Sequence, residues 1–307
     1  MAVMTRGNFA KFLWPGINAA YGTQYAEYAI EYTELFKVLP SQKAYEEDVG
    51  LTQMGLVPVK PEGMPILFDS MAQGFIKRYT MVSYGLGFII TWELFSDSQY
   101  QLTNQMLRKP KALAYSIRQT KETIHANVFN RAFNSSYTGG DGIELCSLVH
   151  PNAGGAGGTY QNELTTPSDL SEAALEQATI DIGRWADDRG NKIRVLPLKL
   201  AIPPELEPDA YRILKSELRV GSANNDINYL RASGKFPQGI KVNHYFTDTD
   251  AWFIITDCPD GLKSFQREKD AFDEDNDFNT KNAMYGATFR NAQGWTDPKC
   301  VYASEGR

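Results

Sequence analysis

Residues 171–228 read SEAALEQATIDIGRWADDRGNKIRVLPLKLAIPPELEPDAYRILKSELRVGSANNDIN, and the change of hydrophobic period along them decides the fold class. Ser171 is placed to cap a helix by accepting a hydrogen bond from a free first-turn N–H. Glu172 complements the positive end of the helix dipole, and Leu175, Ala178, Ile182 and Trp185 follow at helical spacing. Gly190 is the expected stop. Ile193 to Ile202 is rich in β-branched residues and leucine and reads as a buried strand. Pro203-Pro204 ends pairing, because neither proline has a backbone N–H to donate. A second helix is predicted over Pro208 to Lys215, with its proline in the first turn, closed by the polar run Asn224-Asn225-Asp226-Ile227-Asn228. The unit is a packed α/β element without an active-site loop, within a chain expected to be α+β as a whole.

Working outward, Pro110 is expected to open a long helix. Leu113, Ile117, Ile124 and Val128 repeat at four- and seven-residue steps down to about Phe133. Residues 34 to 90 carry short β-like runs, Leu56 to Val59 and Phe75 to Tyr84, around the turn-rich Pro58-Val59-Lys60-Pro61-Glu62-Gly63-Met64-Pro65, which predicts a long two-stranded excursion. Such a ribbon is marginal alone in water and needs a surface to rest on. The first 33 residues hold Phe9, Phe12, Trp14, Tyr21, Tyr25, Tyr28 and Tyr32 with little aliphatic support, so they too need something to lie on. Strand-like runs return at Trp252 to Ile255, Met284 to Arg290 and Val301-Tyr302.

At 307 residues, 42% hydrophobic and 22% charged, the chain is long enough to bury a sizeable core. A net charge of −6 argues against wrapping nucleic acid, which needs a surplus of Lys and Arg on one face. No secretory signal is apparent after Met1, and no run approaches the roughly 18 apolar residues of a membrane span. Cys146, Cys258 and Cys300 are odd in number and widely spaced, so they read as reduced thiols.

No Gly-x-Ser-x-Gly elbow, His-Glu-x-x-His helix or Gly-x-x-x-x-Gly-Lys phosphate loop occurs. Of the three histidines, His125 falls in the helical pattern, His150 precedes Pro151 and is expected to bond to a turn backbone, and His244 lies among strand-like residues. The Gly154 to Gly158 run has no following lysine and reads as a surface loop. Asp273-Glu274-Asp275-Asn276-Asp277 has the alternation of a calcium loop. Phe278 and Met284 stand where such a loop needs glycine and a bidentate acid, so it reads as a solvated acidic loop beside Lys263, Arg267 and Lys269. No catalytic, cofactor or metal residue is predicted.

The order of several loose motifs resembles tailed-bacteriophage major capsid proteins of the Hong Kong phage type. They are Gly74 to Ser83 with Tyr84-Gly85-Leu86-Gly87 and Thr91-Trp92-Glu93-Leu94, His150-Pro151 with Gly157-Gly158-Thr159-Tyr160-Gln161-Asn162, and Asp169-Leu170-Ser171 with Leu175. Pro197, Ala201-Ile202-Pro203, Leu206-Glu207, Ala210, Ser216 and Asp248-Thr249-Asp250-Ala251-Trp252-Phe253 follow. The likeness spans residues 70 to 307. It implies an amino-terminal arm (1–33), an extended loop (34–90), a peripheral domain with a spine helix (91–167 and 263–300) and an axial domain (168–262 and 301–307). It also implies inter-subunit contacts at the loop tip, Leu56, Val57, Pro58, Val59, Lys60, Pro61 and Glu62, and at the arm, Phe9, Phe12, Trp14, Tyr21 and Tyr25.

The function implied is self-assembly through pentamers and hexamers into an icosahedral head enclosing double-stranded DNA. The partners are copies of the chain itself, separate scaffolding, portal and decoration proteins, and DNA held without sequence-specific binding, with no membrane. The protein would be made in the host cytoplasm and reside in the virion capsid. Some relatives weld subunits through a loop lysine and a neighbour's asparagine. Lys43, Lys60 and Lys77 lie on the corresponding stretch, but the sequence pairs none of them with an acceptor, and the preferred reading is that Lys60 simply keeps the tip soluble. The alternative readings are a non-viral encapsulating shell of the same fold and a soluble hydrolase.

Overall fold

The structure is a computed structural model that describes residues 9–27, 29–91, 102–154, 157–219, 226–276 and 282–307. Its helices are α1 (Phe9–Glu27), α2 (Tyr32–Leu35), α3 (Leu102–Asn130), α4 (Glu172–Arg184), α5 (Glu207–Lys215) and α6 (Tyr229–Ala232). Its strands are β1 (Lys37–Pro40), β2 (Tyr45–Leu51), β3 (Gln73–Thr80), β4 (Val82–Ile90), β5 (His150–Pro151), β6 (Thr159–Tyr160), β7 (Pro197–Ile202), β8 (Ile240–Val242), β9 (Trp252–Thr256), β10 (Leu262–Asn276), β11 (Ala283–Trp295) and β12 (Val301–Ser304).

The 171–228 stretch folds largely as its pattern dictates. Ser171 has extended backbone and its hydroxyl accepts the Ala174 N–H at 3.2 Å. Ser171→Ala should therefore cost about 1 kcal/mol, read as a lower thermal midpoint of the unassembled chain, and an unchanged midpoint would remove the cap from the account. Leu175, Ala178 and Ile182 are buried on one face of α4. The helix ends at Arg184, earlier than Gly190, because Trp185 turns into the core and its indole donates to the Gln161 carbonyl. Gly190 instead takes a φ of 83° in the turn that follows. Pro208 stands in the first turn of α5, and Asn224-Asn225 lie outside the described residues.

Two four-stranded sheets organise the rest. One has the order β12-β9-β7-β8, with α4 and α5 packed on it through Leu175, Ile182, Leu200, Ile202, Trp252 and Tyr302. The other has the order β1-β10-β11-β4 and carries α1 and α3 across one face, where Tyr21, Leu113, Ile117, Ala287 and Phe289 meet. A further cluster of Phe129, Leu145, Phe253, Ile255, Trp295 and Val301 brings the carboxyl end of α3 against β9 and β12 and joins the halves. Fully buried Asn162 fastens this junction. Its side-chain amide donates to the carbonyls of Leu145, Pro298 and Val301, and its oxygen accepts the Ser147 N–H.

Several sequence expectations are corrected. Pro110 lies inside α3, which runs 29 residues, about 44 Å at 1.5 Å per residue. Pro110 is buried, and the Lys109 ammonium beside it donates to the Ile89 carbonyl, which ties this part of the helix to β4. The helix ends at Asn130 rather than Phe133. The acidic run Asp273 to Asn276 is the end of β10, laddered to β11 from Asp273↔Gly286 to Asn276↔Ala283, and not a loop; Asp277 and Phe278 lie outside the described residues. Lys263 binds Asp48 and Asp260 rather than this run. The motif residues Trp92-Glu93-Leu94 also lie outside the described residues, as do Gly155 and Ala156.

Candidate assembly interface

The ribbon that projects from the body begins as regular structure and stops being so. Strands β2 and β3 pair antiparallel from Tyr45↔Thr80 to Leu51↔Gln73. Beyond Leu51 the chain runs without a strand to Ala72, so the strand expected at Leu56 to Val59 does not form. Pro58, Pro61 and Pro65 each remove a donor from any ladder that could have continued there.

The loop tip is apolar and bare. Leu56, Val57 and Val59 are 82%, 94% and 92% exposed and Phe68 is 96% exposed, with Met54, Met64, Ile66 and Leu67 exposed beside them. Pro58, Lys60, Pro61 and Glu62 are exposed as well. The second half of this patch was missed in the sequence, although the run Met64-Pro65-Ile66-Leu67-Phe68 between Gly63 and Asp69 carried the signal.

The neck and root of the ribbon are tied. Thr52 Oγ1 accepts the Ala72 N–H at 2.8 Å, and Asp69 Oδ2 accepts the Gly55 N–H at 2.8 Å. The Gly55 amide, then the Arg189 guanidinium and the Ser70 amide, hold the Asp69 carboxyl down at about 2. At the root, Lys77 donates to the Thr138 carbonyl at 2.9 Å and Tyr79 shares a hydrogen bond with Thr296 at 2.6 Å. Lys263 bridges Asp48 and Asp260 at 2.7 and 2.8 Å. Burial works against the Lys263 charge, but hydrogen bonds to Asp260 and Asp48 more than offset it and its pKa is raised.

The arm finds its support on its own chain. Tyr21 is buried and stacks on Phe272 at 4.5 Å, and Ile17 packs against Ile90, Ala283 and Tyr285. Tyr25 donates to Asp270, whose other oxygen pairs with Lys121, and Arg118 lies over the Tyr25 ring at 4.1 Å. Burial first, then Asp270, pushes the Tyr21 hydroxyl up to about 12. Tyr21 and Tyr25, expected from the sequence at a contact with a neighbour, make these contacts within the subunit. Phe9, Phe12 and Trp14 belong to α1, and their side chains lie outside the described residues.

The histidines all have local structural partners. His125 lies in α3, as its helical spacing predicts, and is buried there. His150 pairs with the Asp141 carboxylate at 2.7 Å instead of a turn backbone, because the glycine-rich turn before it delivers Asp141 to the buried ring. His244 sits in a turn, not a strand, and binds Glu31 at 2.7 Å. The three cysteines are free. Among the described residues, no group of His, Cys, Asp and Glu is arranged to hold a metal ion, and no helix is long and apolar enough to cross a membrane.

No curated protein matches this chain. Among solved structures it is similar to one from Mycobacterium phage Patience, with a TM-score of 0.55 and 10% identity, over 95% of this chain and 86% of that one. The mature capsid of bacteriophage PhiM1 gives 0.54 and 11%, over 90% and 86%. The capsid of the Cyanophage P-SCSP1u gives 0.52 and 11%, over 90% and 87%. At such identities these likenesses show the fold alone. The family model described as phage capsid protein matches residues 76–304, most of the chain. This chain therefore belongs to the phage capsid protein family, as a structural, non-enzymatic shell protein with the Hong Kong phage type of capsid fold.

Proposed function

We propose that this shell protein is the major head protein of a tailed phage, whose copies form pentamers and hexamers and close into an icosahedral head around double-stranded DNA. The observation that carries the reading is the bare apolar tip at residues 54–68. A soluble monomer rarely leaves so contiguous a patch in water, and a second copy is the partner present in every assembly of the chain. The contact is heterologous: a projecting loop meets a different surface on the next copy, which closes rings and lets ring edges tile. Many such contacts act together, so none needs to be strong.

In this reading the sheet β12-β9-β7-β8 with α4 and α5 forms the axial domain, residues 168–262 and 301–307. The sheet β1-β10-β11-β4 with α3 as spine belongs to the peripheral domain, residues 91–167 and 263–300, together with β1 and β4 from the extended-loop region. Residues 34–90 are the extended loop and 1–33 the arm. Leu56 to Glu62 form the neighbour contact, with Phe9, Phe12, Trp14, Tyr21 and Tyr25 of the arm adding to it. The net charge of −6 suits a wall that holds DNA without gripping it. Scaffolding, portal and decoration proteins complete the head, and synthesis takes place in the host cytoplasm.

Electron microscopy and sedimentation of the full chain, expressed alone and with the scaffolding protein of its phage, test the proposal. Closed shells or capsomer rings are expected. A monomer that persists under both conditions would overturn the assembly reading, and shells filled with an enzyme rather than DNA in the native source would favour a non-viral container.

A further inference from the structure

The loop tip is free, but its direction is not. After α4 the chain makes a tight turn, Asp187-Asp188-Arg189-Gly190-Asn191. Asp187 Oδ1 accepts the N–H groups of Arg189 and Asn191 at 2.9 and 2.8 Å, its Oδ2 accepts the Asn191 side chain, and Gly190 supplies the left-handed φ of 83°. A turn so closed presents Arg189 with little further ordering to lose. Arg189 reaches the ribbon at two points, through Nη1 to Asp69 Oδ2 at 2.5 Å and Nη2 to the Ser70 carbonyl at 2.6 Å.

Asp69 Oδ2 also holds the Gly55 N–H, so one oxygen closes the loop neck and joins it to the body. There is little room for another group: a Cβ on Gly55 would lie 3.3 Å from both Arg189 Nη1 and Asp69 Oδ2. Asp188, next in the turn, accepts the Ala153 N–H at 3.1 Å and so secures the β5–β6 hairpin to the same bracket. A Cβ on Gly154 in that hairpin would come within 2.7 Å of the Thr52 methyl, which places the hairpin against the other side of the neck.

We propose that Arg189, Asp69 and Ser70 form a releasable clasp that fixes the angle of the extended loop to the body before its tip is buried on another copy. The second half of that statement rests on the docking reading of residues 54–68; the clasp itself does not. The ion pair is partly exposed, with side chains 30% and 44% accessible, so it is strong enough to bias a direction and weak enough to yield when the tip finds a better contact. It is also open to screening by salt.

Hydrogen exchange of the full-length, unassembled chain tests this. Asp69→Asn and Arg189→Gln are each expected to speed exchange in peptides covering residues 52–72 by about 3-fold, the scale of one partly exposed ion pair. The double variant should add little to either single change, and high salt should reproduce part of the effect in the parent chain. Peptides from α4 report whether each variant remains folded. Unchanged exchange at 52–72 in both folded variants, or fully additive effects, would overturn the clasp. Faster exchange with an unchanged rate of shell formation would uphold the clasp and overturn its part in setting the loop for docking, while the docking reading itself stands or falls on variants of the tip.

Discussion

Replacing Leu56, Val57, Val59 and Phe68 together with serine is expected to leave the chain folded and to stop shells from forming. Each of these side chains is more than four-fifths exposed in the subunit, so their removal takes almost nothing from its core. The thermal midpoint of the unassembled chain should stay within the range of ordinary surface substitutions, about 0.5 kcal/mol. In the shell the same residues would be covered, and full burial of a Val, Leu or Phe side chain contributes about 1.5–3 kcal/mol. Four of them then contribute on the order of 6–12 kcal/mol of gross docking energy per loop, an upper figure because docking also costs the freedom of the loop and its side chains. Sedimentation velocity and electron microscopy read the outcome. A folded quadruple variant that still builds shells at the parent's rate would show that the tip is not what the neighbour grips.

Legibility in the sequence followed the range over which each feature is determined. The cap at Ser171, the buried stripe of α4 and the proline of α5 depend on residues within a few positions, and they are as the pattern required. Pro110 has two local meanings, helix start or helix interior. The choice fell to tertiary support, since Lys109 just before it is held to the Ile89 carbonyl of β4. The acidic run at Asp273 became a strand end because the β11 ladder continues past the last apolar residue of β10. The arm's need for support was readable in its aromatics, but not that α3 and β10 of the same chain supply it. The clasp joins positions 120 residues apart, and neither Asp69 nor Arg189 carries a local mark of the other.

Acid should loosen this subunit where α2 packs on α3, because His125 is buried there as a neutral ring. Its Nδ1 lies 2.6 Å from the Lys121 carbonyl, which can only accept, so Nδ1 carries the hydrogen and Nε2 accepts the Ser264 hydroxyl at 2.8 Å. Tyr32 stacks on the ring at 4.1 Å and Phe36 meets its edge at 5.1 Å, which ties α2 and the entry to β1 to the protonation state of α3. Burial pushes the His125 pKa down to about 4, with the Lys121 carbonyl opposing and the Lys121 charge assisting. The unfolded chain binds a proton near 6.5, where the folded one still refuses it. The stabilisation is therefore complete above about pH 6.5 and is lost as pH falls to about 4, a change of about 3 kcal/mol. Glu122, raised by burial against the N–H groups of Glu31 and Tyr32 that it accepts, runs the opposite way and stabilises less as pH climbs past the ordinary carboxylate value. The diagnostic quantity is thus the difference between the parent and His125→Gln, followed by urea unfolding of the unassembled chain from about pH 7 to about pH 4. The parent should lose stability more steeply than the variant by that amount. Parallel pH curves would place the acid sensitivity elsewhere, whatever the variant costs at neutral pH.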